Sequence, residues 1–174
     1  MARPTPDEAA EYYFTYIDKV ADGDVCELMR AQASDLSVLL RDISDETSFR
    51  RYAPDKWSIR QVLSHLADTE RVFASRAFWF ARGFDSALPS YDDAVAVAAA
   101  RADERAWTDL VAEFEVVRQS TIPLFTSLSP DAWDRRGIAS DRPFTVRALA
   151  YIIVGHVEHH VRIVRDRYLS TVAR

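Results

Sequence analysis

Three of the four histidines in this chain lie within five residues, in the stretch Gly155-His156-Val157-Glu158-His159-His160. Residues four apart on an α-helix lie on the same face, one turn apart. His156 and His160 can therefore direct two imidazoles to one point while His159 points elsewhere, which is a spacing typical of metal ligands. Histidines on helices are more often surface or hydrogen-bonded residues, so the rest of the sequence has to distinguish the two interpretations.

The fourth histidine, His65, matches this pair when each is counted from the start of its own predicted helix. The segments Trp57-Ser58-Ile59-Arg60 and Phe144-Thr145-Val146-Arg147 share one pattern: an aromatic residue, a hydroxyl cap, a β-branched residue and an arginine. His65 lies seven residues after the first cap, and the pair lies 11 and 15 residues after the second. Because these offsets differ by fours, the three histidines share one face relative to the cap, as in two αα-hairpins related by a rough duplication. So short a match also arises by chance.

The elements that position these residues are predicted to be helices. The 174 residues include only 4 glycines, with 48% hydrophobic and 28% charged residues, a composition that favours an all-α protein with one domain over residues 1–174. Apolar residues recur at three- and four-residue spacings in four long segments and a shorter N-terminal one. The predicted helices cover residues 6–19, 25–43, 58–83, 101–128 and 145–168.

Local signals refine these boundaries. Ser58 followed by Gln61 predicts a capping box at the start of the second long helix, and Thr145 is expected to cap the last one. A further helical pattern covers residues 91–100, whereas residues 136–143 are predicted to form a loop.

Charge and composition argue against several classes of partner. The net charge is −5, the isoelectric point is near 5.4, and arginines are interspersed with acidic residues, so we expect neither nucleic acid nor a membrane as a partner. The single cysteine, Cys26, lies among apolar residues, which favours a buried structural thiol. The N-terminus has no signal-peptide core and no uncharged run is long enough to span a bilayer, so a cytoplasmic protein is predicted.

If the histidines are buried, binding a shared metal ion would stabilise them. In a four-helix bundle, the second and fourth long helices could bring His65, His156 and His160 to one point. Two inward imidazoles one turn apart would repel each other if both were charged, and a shared divalent cation removes that cost. Structural zinc sites use four cysteine or histidine ligands, and the sequence offers no fourth candidate at a suitable spacing, so an open site is predicted. The Glu-x-x-His and H-E-x-x-H patterns are both absent.

Three motifs give the chain a resemblance to the DinB-like (damage-inducible) superfamily of small helical metalloproteins. They are Lys56-Trp57-Ser58-Ile59-Arg60, His65-Leu66-Ala67-Asp68-Thr69-Glu70 and the histidine stretch at 155–160, and the resemblance extends from about residue 11 to residue 168. It implies a four-helix bundle, here with a short extra N-terminal helix, and a three-histidine divalent site that commonly holds zinc or nickel. The implied ligands are the three histidines grouped above, and a homodimer is a further implication.

The resemblance also implies a small set of reactions. Family members with known activities are largely thiol-dependent transferases that use low-molecular-weight thiols such as mycothiol or bacillithiol, with related isomerases and hydrolases, and many members have no known activity. For this chain we therefore expect a metal-dependent transferase in which an external thiol attacks an electrophilic small molecule. The alternatives are a hydrolase that uses water activated by the metal, and a non-catalytic metal-bearing protein that binds a small molecule or serves a stress response.

Four charged residues near the histidine motifs are candidates to support catalysis. They could orient a metal ligand or transfer protons, although a solvated charge or a surface ion pair is the commoner role for each, and they are Asp68, Glu70, Glu158 and Arg162. Aromatic residues of the N-terminal segment and the four tryptophans could line a cavity, but packing in the core is the commoner role for aromatic side chains at helical spacing. The tryptophans are Trp57, Trp79, Trp107 and Trp133.

Overall fold

The fold is built around four long α-helices. The computed structural model describes residues 2–170, and within them the long helices are α2 (Val25–Arg41), α4 (Ile59–Ala81), α6 (Trp107–Thr126) and α7 (Val146–Ile163). Shorter elements flank them, and these are α1 (Phe14–Ile17), α3 (Asp45–Ser48), α5 (Asp93–Ala100) and an antiparallel hairpin of β1 (Arg136–Ala139) and β2 (Arg142–Thr145). The predicted all-α class and four-helix bundle with a short N-terminal helix are confirmed. In the described part of the chain, no helix combines the length and apolarity that crossing a membrane requires.

Both predicted helix starts carry the expected caps. The Ser58 hydroxyl accepts a hydrogen bond from the backbone N–H of Gln61, and the Gln61 side chain accepts one from the backbone N–H of Ser58, which completes a capping box. At the start of α7, Thr145 Oγ1 accepts a 3.0 Å hydrogen bond from the N–H of Ala148. Because these bonds fix where each helix begins, they also fix the direction in which every later side chain points.

Two predicted helix boundaries are wrong. The N-terminal helix does not cover residues 6–19: residues Glu11–Tyr13 form a 3₁₀ turn and α1 adds a single α-helical turn. The third long helix starts at Trp107 and not at Arg101, because Arg101 has a left-handed backbone with φ of 48°. That conformation separates α5 from the 3₁₀ turn Ala102–Glu104, and apolar periodicity alone does not reveal such a break.

The predicted loop at residues 136–143 is also wrong, since most of it belongs to the hairpin. Ser140 and Asp141 form its two-residue turn, with φ of 51° and 58°. Two-residue hairpin turns favour such positive φ values and usually contain glycine or asparagine. The Ser-Asp pair lacks that signature, which is why the sequence did not indicate a hairpin. β2 ends at Thr145, so the hairpin leads directly into α7.

A buried carboxylate ties the N-terminal segment to the start of α7. Glu8 is 1% exposed, and its Oε2 accepts a 2.7 Å hydrogen bond from Thr145 Oγ1 while its Oε1 accepts one of 2.7 Å from Arg147 Nη2. The backbone N–H of Thr145 also donates to the carbonyl of Glu8. Burial opposes ionisation of Glu8, but these hydrogen bonds outweigh it and lower the pKa of the carboxyl group to about 2. The N-terminal segment is therefore held in place by a buried, ionised carboxylate whose two oxygens both accept hydrogen bonds, and not by a long helix.

Gly155 lets the same segment approach α7 closely. A Cβ atom built on Gly155 would lie 2.1 Å from the backbone carbonyl oxygen of Tyr16. Glycine is thus required at this point of the helix, because any side chain would push the backbone of α1 away. The close approach places Tyr16 directly beside His156, with ring centroids 5.1 Å apart.

Candidate metal centre

The structure brings together the three histidines that the sequence grouped. His65 comes from α4 and the other two from α7, and His65, His156 and His160 each offer a ring nitrogen such that all three atoms lie within 4.8 Å of one another. The Nε2 atoms of His65 and His156 are 3.0 Å apart. His65 and His156 are 4% and 5% exposed, and His160 is half-buried. Three imidazole nitrogens therefore converge at one buried point.

His159 lies outside this group, as its helical phase predicts. Its ring is half-buried and packs edge-on against Tyr16, with centroids 5.5 Å apart. Because it is one residue before His160, it points about 100° around the helix from it. The local cluster of three histidines in the sequence is thus divided in the structure.

Burial keeps the three converging histidines uncharged. It lowers the pKa of His65 to about 4 and, together with the neighbouring histidines, that of His160 to about 3. The pKa of His156 falls well below its usual value for the same reasons, with burial the larger cause. At neutral pH each ring is therefore a neutral base with a free lone pair, the form in which histidine binds metals. Three neutral imidazoles at one point fit a divalent ion such as zinc or nickel.

Thr69 orients one of these rings. Its hydroxyl lies 3.3 Å from His65 Nδ1, one helical turn along α4. A polar contact to one ring nitrogen fixes the ring and directs the other nitrogen toward the metal position, as commonly seen around histidine ligands. Nε2 of His65 accordingly faces Nε2 of His156.

The histidines line an open cavity with aromatic walls. The cavity has a volume of about 410 Å³, and its other lining residues are Tyr12, Tyr16, Trp57, Thr69, Phe73, Tyr91, Asp93 and His159. Trp57 lies against His65, with ring centroids 4.9 Å apart. On the other side, the hydroxyls of Tyr12 and Tyr16 are 2.8 Å apart. Of the aromatic residues considered from sequence, Tyr12, Tyr16 and Trp57 line the cavity, so the N-terminal segment supplies one of its walls. Trp79, Trp107 and Trp133 do not line it.

Sequence reasoning missed several lining residues, among them Thr69, Tyr91 and Asp93. Tyr91 and Asp93 lie at the start of α5, which the polypeptide reaches only after the loop that follows α4. Burial raises the pKa of the Tyr91 phenol, although Thr69 acts in the opposite direction. Asp93 is exposed at the edge of the cavity, and its charge acts on both Tyr91 and His65. The sequence indicated only that a helix starts at Tyr91-Asp92-Asp93. It did not indicate which other helix this one packs against.

Glu70 belongs to the bundle core. It forms a two-pronged ion pair with Arg118 of α6, with both side chains 1% exposed and Glu70 Oε2 2.7 Å from Arg118 Nη2. Arg118 also donates a 3.0 Å hydrogen bond to the side-chain oxygen of Gln32 on α2. This candidate therefore joins three of the long helices to one another and does not line the histidine cavity.

The other charged candidates form local ion pairs on helix surfaces. Asp68 lies 2.9 Å from Arg71, one turn further along α4, and Glu158 lies 2.7 Å from Arg162 on α7. None of the four charged candidates, which are Asp68, Glu70, Glu158 and Arg162, lines the histidine cavity. Asp68 is nevertheless close enough for its charge to act on Tyr91.

Comparison with known proteins agrees with this geometry. The family profile described as DinB superfamily matches residues 28–164. No curated protein sequence matches the chain. Among solved structures, the chain is similar to YfiT from Bacillus subtilis, described as a probable metal-dependent hydrolase with an unusual four-helix bundle topology. The TM-score is 0.71 with 17% identity, over 98% of this chain and 93% of YfiT.

A second similar structure is that of the mycothiol-dependent maleylpyruvate isomerase. The TM-score is 0.67 with 15% identity, over 84% of this chain and 61% of the isomerase. A mutant of the same enzyme gives 0.68 with 14% identity. At such low identities, these structures support the shared fold and leave the reaction to be argued from the site.

Proposed function

The chain belongs to the DinB superfamily, and we propose that it is a divalent-metal-dependent enzyme that acts on a small molecule, with His65, His156 and His160 as the protein ligands. One observation carries the proposal: three uncharged imidazoles converge at the inner end of a cavity that is open to solvent. Three protein ligands leave a coordination position free, as in catalytic rather than structural sites. Zinc and nickel are the metals we expect, because imidazole nitrogen suits both.

The reaction that we favour is a thiol-dependent transfer. A divalent ion in this site would supply a nucleophile at neutral pH by lowering the pKa of a bound thiol or water. The thiol must come from outside the chain, since Cys26 is buried in the core and burial raises its pKa. In the transfer, the thiol would lose its proton to solvent and its sulfur would form a bond to the electrophilic atom of the substrate, while the bond from that atom to its leaving group would break and the electron pair would depart with that group. The similarity to a mycothiol-dependent isomerase supports this choice.

The chain's own residues would prepare the site for such a reaction. Thr69 holds the ring of His65 in a fixed orientation, and Trp57 and Tyr16 pack against the histidine rings. These aromatic walls limit the water around the reacting atoms, which strengthens electrostatic interactions there. The similarity to YfiT supports hydrolysis as the second candidate reaction. A metal-bearing binding protein without catalysis is the third reading, and we expect the active form to be a cytoplasmic homodimer.

Metal analysis and a thiol titration test the proposal. The purified protein should contain about one equivalent of divalent metal per chain, and the visible spectrum of the cobalt-substituted protein should change when a low-molecular-weight thiol is added. Absence of stoichiometric metal would reject the metal-dependent function. A spectrum that does not respond to thiol would reject the transfer and leave hydrolysis or binding.

A pair of histidine variants tests the choice of ligands. His65→Ala should abolish stoichiometric metal binding, because it removes the only ligand from α4. His159→Ala is the matched control on α7 and should retain metal, since its ring lies outside the converging group. Equal loss of metal in both variants would mean that the ligand face is wrong.

A further inference from the structure

One acidic side chain lies at the mouth of the histidine cavity. Asp93 is exposed at the cavity edge, and its carboxylate forms no ion pair with any of residues 2–170. It is the one formally charged lining residue in this part of the chain, and no lysine or arginine lines the cavity there. Its charge acts on His65 in one wall and on the Tyr16 phenol in another. The cavity mouth therefore carries an available negative charge.

Asp93 does not belong to the group of metal ligands. Among the described residues, the side chains whose ligand atoms converge are those of the three histidines, and no carboxylate joins them. Asp93 nevertheless lines the same cavity. A carboxylate that lines a ligand cavity without a cation from the protein beside it can pair with a cation that the ligand supplies.

The aromatic walls would strengthen the binding of such a cation. Tyr12, Tyr16, Trp57 and Phe73 all line the cavity, and the rings of Tyr12 and Tyr16 pack edge to face with centroids 5.7 Å apart. The faces of aromatic rings attract cations, and ammonium groups are commonly bound in sites built from several such rings. Aromatic walls and a single carboxylate thus favour an organic cation at the cavity mouth.

A divalent ion on the three histidines would restrict where the cation can lie. It would repel an ammonium group beside it and attract an anionic group there. The repulsion weakens with distance and is screened where the cavity opens to solvent, which is where Asp93 lies. Lys19 acts on His159 from outside the cavity lining, so the Asp93 side is also the better side for a cation. The cavity therefore suits a molecule with a metal-binding group at one end and a cation at the other.

We propose that the small molecule bound in the histidine cavity carries an ammonium group, which Asp93 and the rings of Tyr12 and Tyr16 hold at the cavity mouth. The inference rests on the proposed function for the other end of the molecule, where a thiol or another donor reaches the metal position. It adds a substrate class and a residue that selects for it. A thiol cosubstrate with a free amino group meets both requirements, whereas a thiol whose amine is acylated meets only the first.

Choline and its neutral analogue test the inference on the full chain. In the analogue a tert-butyl group replaces the trimethylammonium group, so the two molecules share a shape and differ in charge. In NMR titrations of the metal-free protein, choline should bind more tightly than the analogue. Asp93→Asn should weaken choline about threefold, as expected for an exposed ion pair, and leave the analogue unchanged. No choline binding, no preference for choline, or the same choline affinity in Asp93→Asn would each overturn the proposal.

Asp109→Asn is the matched control for the loss of charge. Asp93 and Asp109 are both exposed acids in the first turn of a helix, but Asp109 does not line the cavity. The control should leave the affinity for choline unchanged, and a loss equal to that in Asp93→Asn would reveal an effect of net charge alone and overturn the proposal.

Tyr12→Leu tests the contribution of the aromatic rings. Tyr12 is exposed, and leucine keeps an apolar side chain at this position while it removes the aromatic face. The variant should weaken choline about threefold and the neutral analogue by less. Equal losses for the two probes would overturn the role of the rings in binding the cation.

Thiocholine connects this test to the metal, because its quaternary nitrogen cannot coordinate and only its sulfur can. In the cobalt-substituted protein, thiocholine should change the visible spectrum at a lower concentration than its tert-butyl analogue does, and Asp93→Asn should reduce that advantage about threefold. An undiminished advantage in Asp93→Asn would overturn the proposal that one molecule reaches both positions. Metal analysis keeps the two proposals separate, because selective binding of choline by a protein that holds no metal would reject only the metal-dependent function.

Discussion

Gly155→Ala should destabilise the protein even though alanine is the better helix former. Helix propensity alone predicts a gain of about 1 kcal/mol for this change within a helix. The new Cβ would lie 2.1 Å from the carbonyl oxygen of Tyr16, so the backbone of α1 would have to retreat by about 1 Å or more to restore a normal contact. Overpacking of this kind costs about 1–3 kcal/mol. A backbone group cannot rotate out of the way as a side chain can, so we expect a cost in the upper part of that range, about 2–3 kcal/mol. Subtracting the propensity gain leaves a net loss of about 1–2 kcal/mol.

The consequences should be visible in two assays. For a chain of this length, that loss corresponds to a fall in Tm of about 2–8 °C. Tyr16 packs on His156, so a displaced α1 should also open one wall of the cavity and weaken the binding of divalent metal by the three histidines. Gly155→Val should exaggerate both effects because its side chain is larger.

A Tm for Gly155→Ala equal to or above that of the parent protein would refute this reasoning. Helix propensity would then outweigh the contact, and the N-terminal segment would be too loosely held to act as a wall of the site. A fall in Tm with unchanged metal affinity would mean that α1 stabilises the bundle without shaping the cavity.

Two further perturbations test how the fold uses buried charge. Glu70→Ala should cost about 3–5 kcal/mol, because it leaves Arg118 buried without its partner, whereas Glu158→Ala breaks an exposed ion pair and should cost less than about 1 kcal/mol. Similar losses in urea titrations would contradict the core role of Glu70. The lowered pKa of Glu8 means that its stabilising contribution is complete above pH 4.5 and is lost as the pH falls toward 2. Glu8→Gln should therefore flatten the pH dependence of the unfolding free energy in that window, and an unchanged slope would count against the anchor.

The grouping of the histidines could be predicted because it depends on local geometry. A cap fixes the start of a helix, and the helical repeat then fixes the direction of every side chain after it. The offsets of His65, His156 and His160 from their caps were therefore enough to place them on matching faces. The separation of His159 from the group follows from the same geometry.

The walls of the cavity could not be predicted because they depend on distant contacts. Tyr91 and Asp93 reach the histidines only because α5 folds back over α4. Glu70 resembled a surface acid because nothing near it in sequence indicates Arg118, 48 residues later. The role of Tyr16 depends on the anchoring of its segment through Glu8 and on the absence of a side chain at Gly155.

The repeated motif at the two helix starts caps each helix and also connects it to neighbouring segments. Each cap hydroxyl accepts a backbone hydrogen bond within its helix and donates one to an acid from another segment, from Ser58 to Asp103 and from Thr145 to Glu8.

Each motif arginine likewise pairs with an acid from a preceding segment, Arg60 with Asp45 and Arg147 with Glu8. The two helices that carry the histidines are thus anchored at their starts by equivalent contacts to neighbouring segments. Such anchoring limits the sliding and rotation of both helices. A site with one ligand from α4 and two from α7 needs that restraint, because small errors in helix position separate ligand atoms that must converge.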